Sequence, residues 1–388
     1  MEMHEIDLSQ VVFIGSETPA MVDLRDLSDD DKQHLLMVGV DAEEHDCSGL
    51  FLHTDHSNVH CASHQKGMEV IDIKQALNKY DGLPEYYWKL ISPEKDDYTR
   101  LVGSHLQGGY FIRTDKGVKV EKSMQSCLFI KNHNVGQSIH NIVVVEEDSE
   151  LNIITGCAIA HRVKQAIHIG VSEFYVKKNA KLTFTMIHGW GEETMVRTRS
   201  VGTIEEGGIF ISNYVLLSPV KDLQMYPSLA LNGPGAVGRF NSVIVAHDGS
   251  YIDTGNCILL NAPETRGEII ARTLTVGGTI ISRGHIAGHS VPCRGHLECK
   301  GLILGNGGLI YTIPELEGTL PGVELSHEAM VGKIAQEEIE YLMARGLDEG
   351  EATSVIVRGF LNVDTMSLPQ ELEAVIDKII SEFDNSIF

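Results

Sequence analysis

Ile142-Val-Val-Val145, then Glu147-Asp-Ser149, then Leu151-Asn-Ile-Ile-Thr155 is a β-branched run, a tight polar turn and a second β-branched run. β-branched side chains suit a pleated, half-buried surface, and short polar turns redirect the chain between strands. The unit returns along the chain. Runs at Lys181–Met186, Ile209–Val215, Ser242–Ala246, Ile269–Thr275 and Thr279–Ser282 alternate with turns at Lys178-Asn-Ala180, Glu205-Glu-Gly207, Gly233-Pro-Gly235, His247-Asp-Gly249 and Val276-Gly-Gly278. The turns recur roughly every 12–16 residues or at about twice that spacing, as in a β-solenoid. Helical periodicity is absent over residues 106–320, which argues against an α/β fold. A β-sandwich is the alternative, but this many glycine-punctuated strands fit stacked coils better. The fold class is therefore mainly β.

The flanks differ from this core. Residues 1–105 read as a mixed α/β region, with Asp29-Asp30-Asp31 opening a helix through Val38, a second over Ile71–Tyr80 and a short one between Pro84 and Ile91. Residues 321–388 read as a C-terminal helical domain, the chain turning helical after Pro321. Ala335, Ile339, Leu342 and Met343 share one helix face, which stops at Arg345-Gly346. Asp348 and Glu351 have capping-box spacing for the next helix, and Ser367 with Pro369 opens a third.

The chain has 388 residues and a formal charge of −23, from 31 Lys and Arg against 54 Asp and Glu. Such acidity repels phosphate backbones and anionic lipid, so neither nucleic-acid nor membrane-surface binding is expected. The acidic Met1–Glu5 start lacks a signal-peptide pattern, and no apolar run is long enough to span a bilayer, so the expected location is cytoplasmic. Seven cysteines, an odd number, do not read as a disulfide framework but as buried small residues or thiolate chemistry.

His285, His289, Cys293, His296 and Cys299 form the densest His/Cys run, with soft and borderline donors suited to zinc or an iron–sulfur centre. Strand alternation sends neighbours to opposite faces, however, and Pro292 and Gly295 interrupt the run, so a closed four-ligand site from it alone is not expected. His45, Cys47, His53, His56, His60, Cys61 and His64 crowd the N-terminal region without zinc-finger spacing, and surface histidines account for them. His327-Glu328 reads, taken alone, as a helix-start pair. No G-x-x-x-x-G-K-[ST] loop is present, so the chain is not expected to hydrolyse ATP itself, and Gly305-Asn-Gly-Gly308 reads as a turn.

Several segments together resemble one family. Ser326-His-Glu-Ala-Met-Val-Gly-Lys-Ile334, Glu340-Tyr-Leu-Met-Ala-Arg-Gly346 and Ile356-Val-Arg-Gly-Phe-Leu361 are similar to the ending of SufB/SufD iron–sulfur cluster assembly proteins. Asp253-Thr-Gly-Asn256, Ile281-Ser-Arg-Gly284, Ala287-Gly-His-Ser290 and Cys299-Lys-Gly-Leu-Ile-Leu-Gly305 resemble SufB in particular, and Lys89–Pro93, Lys116–Val120, Asn134–Gln137 and Thr155–Cys157 extend the likeness upstream.

That resemblance implies a right-handed parallel β-helix and a non-enzymatic scaffold that builds and passes on a transient iron–sulfur cluster, with flavin as a further candidate cofactor. It implies docking of a SufC-like ABC ATPase on the C-terminal helices, and pairing with a second copy as a homodimer, or with a SufB/SufD paralogue, through the β-helix. A sulfur donor and apo-protein recipients complete the implied partners. Cys299, Glu328 and His327 fall on the cluster site, with His289, Cys293 and His296 as additional candidates. Cys157 falls on the sulfur-receiving cysteine, with His188, Trp190, Arg197 and Arg199 along the sulfur path and cations expected to activate the thiol. A SufD-like structural subunit that holds no cluster is the alternative, followed by a zinc-dependent β-helix enzyme.

Overall fold

The computed structural model describes residues 12–13, 24, 27–44, 46–163, 165–304 and 307–361. His45, Gly305, Asn306 and the helix expected from Ser367 lie outside these. Two long sheets run the length of the molecule. One has the order β2 (Ser57–Ser63), β1 (Gly49–Thr54), β5 (Met124–Ile130), β7 (Glu150–Ile159), β9 (Lys181–Gly189), β11 (Ile209–Leu216), β14 (Val237–Ala246), β16 (Thr265–Thr275), β18 (Cys293–Ile303), β20 (Val323–Gly332). The other runs β19 (Leu309–Gly318), β17 (Thr279–Gly288), β15 (Tyr251–Leu260), β12 (Asp222–Met225), β10 (Thr194–Ile204), β8 (Ala166–Val176), β6 (Val135–Val145), β4 (Tyr110–Thr114), β3 (Met68–Asp72), with β13 (Ser228–Leu231) bridging β10 and β15. From β5 and β6 onward neighbouring strands pair in parallel, so the chain winds as a β-solenoid of about eight turns. The mainly β expectation holds.

The turns read from the sequence are what stack the coils. Asp148, Asn179, Gly207 and Gly235 occupy one repeated corner, each at positive φ (58°, 53°, 64° and 71°). Their amides donate in succession to Lys178 O, Glu206 O, Pro234 O and Pro263 O on the next coil. Asp, Asn and Gly tolerate the left-handed conformation best, which explains the choice of residues there. Corner partners one coil apart are separated by 31 residues at Asn179 and Asp148 and by 28 at Lys178 and Glu206, about twice the turn spacing.

Between the sheets runs one continuous apolar core from Leu50 to Ile310. Each fully buried aliphatic or aromatic side chain there contributes about 1.5–3 kcal/mol. Helix α1 (Asp29–Met37), capped by Ser28 with three aspartates in its first turn, packs on the outer face of the first sheet. A Cβ at Gly156 or Gly189 would come within 2.4 or 2.7 Å of Val38, so glycine lets the helix end approach the sheet. Helix α2 (Ile73–Lys79) is capped by Asp72, while residues 84–91 form turns rather than the expected helix. Helix α3 (Asp97–Ser104), unanticipated, packs on β6 and β8 of the second sheet.

The chain does not turn helical after Pro321. Val323–Gly332 is strand, paired in parallel with β18 from Cys293↔Val323 to Leu302↔Gly332. Its alternating Val323, Leu325 and Val331 extend the solenoid by one more strand, a period-two pattern that the following helical stripe obscured. Helix α4 (Gln336–Met343) then begins, and α5 (Glu349–Leu361) carries the anticipated box: Glu351 N donates to Asp348 and Asp348 N to Glu351.

Candidate functional site

Strand alternation sorts the chemistry. Along β7, Leu151, Ile153, Thr155 and Cys157 face the interior, while Gly156 and Ala158 face α1. Cys157 stands in register with Leu128 on β5 and His188 on β9. Both Cys157 and His188 are buried, as is Trp190 just past the end of β9. The His188 and Trp190 rings lie 5.1 Å apart, and His168 from the opposite sheet is 5.2 Å from Trp190. Tyr214 Oη is 2.9 Å from His188 Nδ1. Among the described residues, His188 Nε2 and Trp190 Nε1 have no hydrogen-bond partner. An unmet buried polar group costs about 1–3 kcal/mol, so this adjoining pair, one strand from Cys157, suits a polar occupant.

Burial pushes the Cys157 thiol well above its ordinary range, reinforced by the nearby Cys127 thiol. The cations expected to activate it are not there. Arg199 lies on the outer side of β10, 2.6 Å from Asp96, and Arg197 is 2.8 Å from Asp222, both beside the Tyr98 ring of α3. Odd-numbered positions of β10 face away from the interior, so the basic strand belongs to the α3 interface and not to the thiol. Burial also keeps His188 neutral, its pKa falling well below the ordinary value. A cavity of about 670 Å³ lies beneath α1, lined by His34, Val38, Ile187, His188, Trp190 and Glu193 among others. It reaches the His188–Trp190 pair from outside.

At the other end of the same sheet, Cys299 faces the interior of β18, in register with Ala271 and Ala329. It is buried, which raises its pKa to about 11 despite a hydrogen bond with Ser282. His327 pairs with Leu297 and so points to the same face as Cys299, two residues removed. Glu328 pairs with Glu298 and points to the opposite face, where Lys300 Nζ lies 3.2 Å from both carboxylates. The structure therefore brings His327, but not Glu328, to the side of the sheet on which Cys299 lies. It also divides the dense His/Cys run. Cys293 is buried facing inward, His296 bonds Ser326 Oγ on the outside at 2.9 Å, and His289 bonds Asn261 at 2.8 Å. His285 faces outward 3.6 Å from Cys257 Sγ, a contact that spacing within the run does not reveal, since Cys257 is one coil earlier.

The SUF system FeS cluster assembly SufBD core domain matches residues 128–360. The chain belongs to the SufBD family. It is 49% identical over 350 residues to an iron–sulfur cluster assembly SufBD family protein of Archaeoglobus fulgidus, covering 90% of this chain and 94% of that one. A SufBD family protein of Methanothermobacter thermautotrophicus is 41% identical, over 88% of this chain and 85% of its own. The iron–sulfur cluster assembly protein SufB of Bacillus subtilis is 31% identical, over 83% of this chain and 70% of its own. Membership assigns the solenoid to iron–sulfur cluster assembly. Among the described residues no helix is long and apolar enough to cross a membrane.

Proposed function

We propose that this SufBD protein is a non-enzymatic scaffold in which sulfur is received at Cys157 and a nascent iron–sulfur cluster is held at Cys299. The observation that carries this reading is the register of Cys157 with His188, whose Nε2, like Nε1 of the adjoining Trp190, lacks a partner among the described residues. Tyr214, kept protonated by burial, lies 2.9 Å from His188 Nδ1; with its hydroxyl donating there, the proton of the neutral ring sits on Nε2. Nε2–H and the indole N–H then stand ready to bind a sulfur anion carried on Cys157. In a dry interior such donors hold charge without a cation.

At Cys299 the donor set suits cargo that must leave. One thiolate, with imidazole or carboxylate help, grips iron less tightly than four thiolates. Here the Cys299 sulfur, a thiol until a metal displaces its proton, sits among Ala271, Ala329 and Ser282, with His327 on the same face and exposed. Further donors come from a second chain docked at the open end, where β19 and β20 each pair on one side only among the described residues. Leu309, Tyr311, Met330 and Val331 expose 53%, 53%, 50% and 41% of their surface there, and long apolar strand edges favour association. The C-terminal helices expose Tyr341, Met343 and Val355, the face offered to a SufC-like ATPase.

One observation favours the structural-subunit reading instead: Lys300 holds Glu328 on the face opposite Cys299. Anaerobic reconstitution with iron and sulfide separates the two, read by absorption and Mössbauer spectra on wild type, Cys299→Ala and Glu328→Ala. Loss of cluster in Cys299→Ala supports the scaffold; equal cluster content in all three supports the structural subunit.

A further inference from the structure

The turn that precedes β1 gathers donors that neither cysteine site uses. A carboxylate oxygen of Glu44, Sγ of Cys47 and an imidazole nitrogen of His64 all lie within 4.8 Å of one another. Among the described residues no other such His/Cys/Asp/Glu group converges as closely. The local fold builds it. The β1–β2 hairpin pairs Gly49 with Ser63, and His64 N donates to Ser48 O at 2.8 Å, which sets His64 beside Cys47. Glu44 is held at φ 56°, a left-handed conformation that costs a glutamate about 1 kcal/mol or more. That conformation lets its carboxylate reach two imidazoles, Oε2 to His64 Nε2 at 2.5 Å and Oε1 to His60 Nε2 at 3.1 Å. Cys47 is buried, while His64 leaves 46% of its side chain exposed, so the cluster has a protein side and a solvent side.

We propose that Glu44, Cys47 and His64 bind a divalent transition-metal ion of the zinc class, with His60 orienting the Glu44 carboxylate. Sulfur, nitrogen and oxygen donors from one residue each suit tetrahedral Zn²⁺, and the solvent side leaves the fourth position to water. A second imidazole on the free carboxylate oxygen is the outer contact such ligands ordinarily carry. The ion ties the segment following α1 to the β1–β2 hairpin, across the cap of the solenoid. Cys61, one residue from His60, is not part of the site: its Sγ contacts Val70 O at 3.2 Å.

Full-length protein, stripped of metal and kept reduced, is titrated with Co²⁺ alone. The expected result is one equivalent bound with a thiolate-to-cobalt charge-transfer band that persists in Cys61→Ser and Cys299→Ala and is lost in Cys47→Ser. His64→Gln, which keeps a side chain of similar reach, weakens binding by about tenfold or more and covers the case in which Cys47→Ser does not fold. The proposal is overturned if wild type shows no thiolate band, if His64→Gln binds as tightly as wild type, if a folded Cys47→Ser keeps the band, or if Cys299→Ala alone abolishes it. Cluster reconstitution enters none of these readings, so the metal site and the scaffold function stand or fall separately.

Discussion

Cys157 and Cys299 stand on adjacent inward columns of one sheet. The Cys157 column continues through His188, Leu216, Ile244 and Thr273 to Gly301, two residues beyond Cys299. The Cys299 column runs back through Ala271, Ser242, Tyr214 and Met186 to Thr155, two residues before Cys157. Five strand spacings of about 4.8 Å put the cysteines about 24 Å apart along the solenoid. Tyr214 belongs to the Cys299 column yet bonds His188 of the other, and so links the two.

This link gives the first prediction. Tyr214→Phe removes the hydroxyl partner of His188 Nδ1 and lowers the stability read from urea unfolding by about 1–3 kcal/mol, because the ring nitrogen is then buried without a partner. It also frees the imidazole to change tautomer, so persulfide loading on Cys157 falls while Cys299 stays intact. Sulfide release assays on wild type, Tyr214→Phe and Cys157→Ala measure this. Wild-type loading in Tyr214→Phe would show that the tautomer is irrelevant.

Acid stability follows from buried histidines. Desolvation lowers His53 and His168 from 6.5 to about 3, so the folded protein binds fewer protons than the unfolded chain between those values. Stability is therefore complete above about pH 6.5 and is lost as pH falls toward 3, by about 1.4 kcal/mol per unit for each group. His168 Nδ1 contacts Gln137 Oε1 at 2.8 Å, and His168→Asn retains a donor while removing the titration. Urea unfolding from pH 7 to 4 is expected to show a shallower decline in that variant, and an equal slope would reject the assignment.

Gly233 lies where two coils touch. A Cβ there would sit 1.9 Å from Glu206 N and 2.2 Å from Glu205 C, both backbone atoms that cannot rotate away. Gly233→Ala is expected to cost about 3 kcal/mol, at the upper end for overpacking. Gly249→Ala is the comparison: nothing lies within 4 Å of its Cβ, so only its φ of 75° opposes the substitution, at about 1–2 kcal/mol. Thermal unfolding of the pair separates close approach from backbone strain.

Much of this organisation was legible in the residues. Asp148, Asn179, Gly207 and Gly235 are local turn signals, and local signals survive into the fold. The facing of Glu328 was not legible, because it depends on β20 being a strand in register with β18, a pairing between residues about thirty positions apart. For the same reason Arg197 and Arg199 read as companions of Cys157: strand parity decides their side, and only α3 shows what that side meets. Cys47 and His64 stood out in the N-terminal His/Cys crowd but read as unconnected surface residues, and Glu44 went unremarked, because the turn and hairpin that bring the three together have a register no spacing rule encodes.

The open end of the solenoid yields the last prediction. The outer edges of β19 and β20 are unpaired among the described residues, and Tyr311 and Met330 project from them at 53% and 50% exposure. A charge on an edge strand opposes pairing with another strand, and an exposed site tolerates it within about 0.5 kcal/mol of monomer stability. Tyr311→Lys with Met330→Lys should therefore weaken self-association by about tenfold or more, about 1.4 kcal/mol, with the unfolding midpoint nearly unchanged. Sedimentation equilibrium reads the first and urea unfolding the second. Where the cluster draws donors from both chains, the doubly substituted protein also loses cluster in proportion to its monomer fraction. Full cluster content on a monomer would place every ligand in one chain.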